Sequence, residues 1–191
     1  KNITVFDTLR EPSEYELKLI NIMKKVYKEI NTDTLLFIQY EGTILNPIIL
    51  DANKQFKVFV MTRTQEKDYV PLGNDYLLVY KQDETLVSKK NLHNGLIPVS
   101  TAYSGKGSGD AGGTFHNHKG ETSPLMTSTD VCTLLLHKKK VKWEVHYVIS
   151  EEFRSIFNLV DRTLNVISNK EYNAILDKKA QEEKENYGGI K

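Results

Sequence analysis

The sequence predicts an α+β domain with a mixed sheet, and three observations carry that prediction. An amphipathic helix opens behind a capping box near the start. Short apolar or alternating runs, bounded by turn residues, fill the stretch from 34 to 103. After residue 112 strands and helices alternate. A length of 191 residues fits one domain of ordinary size, able to bury a sizeable core. With 39% hydrophobic and 27% charged residues the chain is globular rather than disordered. The net charge of +1 supplies no large pull toward nucleic acid or an anionic membrane. No apolar run approaches the ~20 residues of a membrane span. Cys132 is the one cysteine, so no internal disulfide can form and no oxidising compartment is signalled. A cytoplasmic protein is the expectation. The chain opens at Lys1 rather than Met and reads as truncated or processed.

Taken in order, residues 1–12 read as an irregular N-terminal arm ending at Pro12. Ser13 and Glu16 have the spacing of a capping box, and Leu19, Ile20, Met23, Val26, Tyr27 and Ile30 follow at helical intervals, so 14–30 is a helix. Asn31-Thr32-Asp33 breaks it. The continuous apolar run from Thr34 to Tyr40 reads as a buried strand, Glu41-Gly42 as a hairpin tip and Thr43 to Leu50 as the returning strand. Phe56 to Thr62, Tyr76 to Lys81 and Leu96 to Tyr103 are further strands, with 63–75 a polar loop. Residues 104–113 are half glycine and read as a mobile loop. They lack the Gly-Lys-Ser/Thr ending of a phosphate loop. Beyond them come a helix from Thr129 to Lys139 with Val131, Leu134 and Leu135 inward, a strand from Trp143 to Ile149, a helix over 151–160, a polar helix from about 169 to 186, and a frayed end from Gly188.

The chemistry concentrates in Gly113-Thr114-Phe115-His116-Asn117-His118. In a strand, residues i and i+2 share a face, so both imidazoles can converge on one point. Thr127-Ser128-Thr129-Asp130 adds a carboxylate at the start of the next helix. Two imidazoles and a carboxylate suit zinc, with room left for water. Thr127 and Asp130 also have the spacing of an ordinary capping box, and the two roles are compatible. His93, His137 and His146 stand without a partner motif and read as surface or internally satisfied histidines. Lys138-Lys139-Lys140 reads as the solvated end of a helix. Cys132 reads as a small buried apolar residue.

These residues resemble the JAMM/MPN metalloprotease family, whose pattern is His-x-His, seven residues, Ser, two residues, Asp. The match runs through His116, His118 and Asp130, with the Gly-Thr-Phe lead-in and the strand His146 to Ser150. It covers roughly 112–157 and, more weakly, 13–40. The resemblance implies an MPN/JAB-like mixed sheet flanked by helices, in a three-layer arrangement like that of the cytidine deaminases. It also implies a domain over 13–160 with inserted structure around 52–110, followed by a C-terminal helical extension over 161–191. In the family the two histidines and the aspartate hold Zn2+ with a water in the open position. A glutamate serves as general base and a serine holds the oxyanion. The implied ligands here are His116, His118 and Asp130. Thr127 stands where the serine is expected, with Ser128 beside it. The base position falls closest to Asp33, with Glu41 and Glu29 as alternatives. The sequence departs from the pattern in a loop one residue longer, in Thr127 for Ser, and in Lys119 for the usual proline.

The implied function is a zinc-dependent peptidase or isopeptidase acting on a peptide or ubiquitin-like conjugate, with no nucleic-acid or membrane partner. The alternative is a non-catalytic, metal-holding interaction scaffold of the same fold. The adjacent letters His-Asn-His do not make an HNH nuclease, whose named residues are dispersed over two strands and a helix, and the near-neutral charge lacks a basic DNA-binding surface.

Overall fold

The structure, a computed structural model, describes residues 10–102, 112–120 and 122–187. The glycine-rich loop at 104–113 lies almost wholly outside the described residues, as do the greater part of the N-terminal arm and the end from Gly188. The first helix, α1 (Glu14–Thr32), begins as expected. The Ser13 hydroxyl accepts from the Glu16 amide, and the Glu16 carboxylate accepts from the Ser13 amide. Its apolar face buries Ile22, Val26 and Ile30.

The apolar run after α1 is not a strand. The Asp33 carboxylate accepts from the Leu36 amide and the Asp33 carbonyl from the Phe37 amide, which turns the chain at once. Farther on, the Ile38 amide donates to the Tyr76 hydroxyl and its carbonyl accepts from the Asn74 side chain. Side chains thus satisfy backbone groups that a ladder would have used. Phe37 enters the core, whereas Leu35 is 96% exposed. Glu41-Gly42 is accordingly a turn ahead of β1 (Thr43–Ala52) rather than a hairpin tip. The hairpin closes instead at Asn53-Lys54, both at positive φ, and leads into β2 (Gln55–Thr64).

The strand β4 (Tyr76–Lys81) pairs with β2, and β5 (Leu86–Asn91), a segment with no distinct sequence signal, pairs with β4. The result is an antiparallel sheet in the order β1-β2-β4-β5. The presumed loop over 63–75 contains a further strand, β3 (Tyr69–Gly73). It pairs antiparallel with β6 (Leu96–Ser100) and buries Val70 and Leu72.

The second large sheet is mixed, as expected. The strand β7 (Gly113–Asn117) runs parallel to β8 (Val145–Ile149), and the connection carries α2 (Ser128–His137). The helix expected over 151–160 is a strand, β9 (Phe153–Asn158). Ser155, Phe157 and Leu159 alternate inward, and pairing with β8 selects that period over the helical one. A last strand, β10 (Thr163–Ser168), pairs with β9 and precedes α3 (Asn169–Tyr187), so 161–191 begins as part of the sheet. On α2, Val131 and Leu134 turn inward, but Leu135 is 39% exposed.

Two apolar clusters result. One joins α1 to the first sheet through Val26, Phe56, Val58 and Leu78. The other joins β3, α2 and the mixed sheet through Leu72, Leu134, Val148 and Phe157. No helix among the described residues is long and apolar enough to cross a membrane.

The loop between β5 and β6 is fastened to the β3–β4 turn at two points. The Leu92 amide donates to the Asp75 carbonyl at 2.7 Å and the Asn74 amide to the Gly95 carbonyl at 2.8 Å. Gly73 makes this closeness possible. It has φ of +73°, and an added Cβ would collide with the Gly95 carbonyl oxygen. Gly73→Ala is therefore expected to destabilise the protein by about 1–3 kcal/mol, read as a lower urea midpoint with unchanged slope.

Candidate metal centre

The strand β7 alternates as the sequence predicts. Phe115 and Asn117 face outward, while His116 and the following His118 are buried at 4% exposure. Asp130 comes from the first turn of α2 and is aimed by that helix's own cap. Its Oδ2 accepts from the Thr127 amide at 2.8 Å and from the Thr127 hydroxyl at 2.7 Å. The Asp130 amide in turn donates to the Thr127 hydroxyl at 3.1 Å. With Oδ2 occupied by the cap, Oδ1 turns toward the histidines. A fourth residue joins them: His93, from the doubly fastened loop after β5. Single donor atoms of His93, His116, His118 and Asp130 all lie within 4.8 Å of one another, and all four residues are buried. This group could hold a metal ion.

The spacing can be tested against a small tetrahedral cation. His93 Nε2 lies 3.1 Å from His118 Nε2 and 3.1 Å from Asp130 Oδ1. His116 Nε2 lies 3.0 Å from His118 Nε2 and 3.7 Å from Asp130 Oδ1. Donors held ~2.0–2.1 Å from a tetrahedral zinc stand roughly 3.3–3.4 Å apart, which is the middle of that range. Asp130 Oδ1, though close to His93, finds no hydrogen-bond partner among the described residues. A buried carboxylate oxygen without a donor is costly, and a cation at the common point removes the cost.

The imidazoles of His118 and His116 are braced at their other nitrogens. His118 Nδ1 donates to the Ser123 carbonyl at 2.7 Å. His116 Nδ1 meets His146 Nε2 at 2.8 Å, and His146 Nδ1 meets the Thr114 hydroxyl at 2.8 Å. An imidazole that gives Nε2 to a cation carries its proton on Nδ1. The proton order is then fixed: His116 donates to His146, and His146 donates to Thr114. His146 is thus an internally satisfied histidine, as expected, but one that orients His116. His93 Nδ1 faces the carboxylate of Asp75, in the turn between β3 and β4, at 3.6 Å.

Burial lowers the His116 imidazole to about 4 despite the opposing charge of Asp130, and it lowers His118 as well. Both are therefore neutral at pH 7, the form a cation needs. Burial alone would lower His93 too, but Asp130 and Asp75 outweigh it and raise that imidazole. Burial would raise Asp130, yet His93, His116 and the Thr127 amide hold it far below the ordinary carboxylate range. Burial lifts Asp75 to about 7.

The implied ligands His116, His118 and Asp130 thus meet at one point. The residues considered for catalysis stand elsewhere or in other roles. Asp33 caps α1 and pairs with Lys89 at 2.8 Å, beside Glu29 on the same lysine. Glu41 is exposed in the turn before β1. Thr127 is the N-cap of α2, and Ser128 is exposed in its first turn. None of Asp33, Glu29 and Glu41 belongs to the buried group. His93 is the member of the buried group that sequence reading missed, having read as a surface or internally satisfied histidine. Its one local signal, the following Asn94-Gly95, is explained equally well by a turn. His137 bonds the Thr133 carbonyl within its own helix, and Cys132 is half-buried.

No family model matches the chain, and no curated protein or solved structure matches it either.

The metal-free protein should lose stability in acid. His116 and His146, lowered to about 4 and about 3, stay neutral in the folded chain while the unfolded chain takes up protons below about 6.5. The unfolded state then binds more protons, so stability falls as pH drops from about 6.5 toward about 4, and the lowered His118 adds to the fall. Asp75, raised to about 7, acts in the opposite sense over the same window. His93, raised above 6.5, contributes stability that fades only at higher pH. With three lowered histidines against Asp75, the urea midpoint is expected to decline on acidification, and His146→Gln should flatten the decline.

Proposed function

We propose that this chain is a zinc-binding domain built on the JAMM/MPN ligand pattern. In it His93 completes a closed four-ligand centre, and the domain serves as a metal-stabilised, non-hydrolytic interaction scaffold. The observation that carries this reading is the position of His93, whose Nε2 stands at ligand spacing from both His118 and Asp130. Four protein donors define structural zinc sites, whereas catalytic ones keep a position open. His93 is also poorly placed to leave, because its loop is tied at Leu92 and Gly95 to the β3–β4 turn. Three imidazoles and a carboxylate suit zinc better than magnesium or calcium, which prefer all-oxygen sets. Zinc bound there supplies cross-linking strength. The chain's own residues hold the donors: the cap of α2 aims Asp130, β7 presents His116 and His118 on one face, and the clamped loop presents His93.

A second reading is the peptidase or isopeptidase that the family pattern implies, with a peptide or ubiquitin-like conjugate as substrate. One observation favours it. A cavity of about 210 Å³ reaches His118 from the surface and is lined by Ser150, Glu151 and Glu152, which brings carboxylates near a ligand.

The two readings part on one preparation. The purified protein is expected to carry about one zinc per chain by elemental analysis, and chelation should lower its melting temperature. His93→Ala should weaken zinc binding by more than the ~10–100-fold typical of losing an outer partner. The zinc-loaded protein should leave peptide and ubiquitin-like conjugates uncut. Turnover that disappears in Asp130→Asn would replace the scaffold reading with the hydrolase, and a zinc-free protein would defeat both.

A further inference from the structure

Among the described residues, Asp75 is the one buried carboxylate beside the centre that the ligand set does not use. It is 1% exposed, and its Oδ2 and the facing His93 Nδ1, 3.6 Å apart, are each without a hydrogen-bond partner among the described residues. A buried acceptor and a buried N–H that lack other partners and face each other form a complementary pair one small ring tilt short of a hydrogen bond. The other carboxylate oxygen, Oδ1, is held by the Thr62 amide at 3.3 Å, which fixes the group on the first sheet.

We propose that Asp75 is a positioning residue of the metal centre, orienting His93 through Nδ1. The assignment rests on the zinc-binding reading above. A carboxylate behind a ligating histidine fixes its tautomer and strengthens its donor nitrogen. Asp75 gives His93 what the Ser123 carbonyl gives His118 and what His146 gives His116.

The test uses the whole chain and zinc alone as ligand, with cobalt as a spectroscopic substitute. Asp75→Asn keeps the shape and an acceptor for Thr62, and Asp75→Ala removes both. Zinc affinity by chelator competition is expected to fall roughly 10–100-fold in Asp75→Ala and less in Asp75→Asn. The visible cobalt bands should also shift or weaken in both variants as His93 loses its orientation. A merely structural role for Asp75 would lower the melting temperature of the metal-free protein and leave the cobalt spectrum of the loaded protein unchanged, which overturns the proposal. Should Asp75→Ala not fold, Asp75→Asn decides by the same two readouts. A wild-type protein that binds zinc while both variants bind equally well refutes the role of Asp75 alone. A wild-type protein that binds none refutes the zinc centre and this role with it.

Discussion

Bringing three imidazoles and two carboxylates together out of water is the constraint to which much of the surrounding structure answers. Each of these groups loses hydration, and each must recover it from a neighbour. The cap of α2 absorbs one oxygen of Asp130, the Ser123 carbonyl takes His118 Nδ1, His146 takes His116 Nδ1, and the Thr62 amide takes Asp75 Oδ1. The atoms left over are Asp130 Oδ1, which faces the common point, and the pair Asp75 Oδ2 and His93 Nδ1, which face each other behind it. An acceptor left without a donor at the common point is the pattern expected where a cation could sit.

The fold serves this arrangement by joining two independently packed halves. His93 hangs from the antiparallel sheet that packs on α1, whereas His116, His118 and Asp130 come from the β7–α2–β8 unit of the mixed sheet. A donor group drawn from both halves would make an ion held there a cross-link between two apolar clusters, so that its binding energy would become folding energy. The clamp between the β5–β6 loop and the β3–β4 turn, made possible by Gly73, supplies the rigidity on one side. The capping box of α2 supplies it on the other.

The parts of this architecture that depend on local rules were legible in the sequence. Ser13 with Glu16 and Thr127 with Asp130 are capping boxes by spacing, and His116 with His118 share a face because strands have a period of two. Where two local patterns compete, tertiary pairing decided. The apolar run 34–40 suits a strand, but Asp33, Asn74 and Tyr76 captured its backbone groups. Residues 153–158 suit a helix or a strand, and the waiting edge of β8 selected the strand. An isolated Asn53-Lys54 hairpin turn carries a weaker signal than Glu41-Gly42, and the register of β1 against β2 overrode it.

What the sequence by itself determined is therefore an α+β chain with two histidines and an aspartate aimed at one place, because period and capping act within a few residues. What only the tertiary structure decided is which further residues reach that place. His93 lies 23 residues before His116 in a loop without a motif, and Asp75 lies farther still. Their arrival at the site depends on the pairing of β4 with β5 and on the two backbone hydrogen bonds that fasten the loop. Three members of the buried group could be read from local geometry. The fourth, and the carboxylate behind it, required contacts between segments distant in the chain, whose formation no spacing rule encodes.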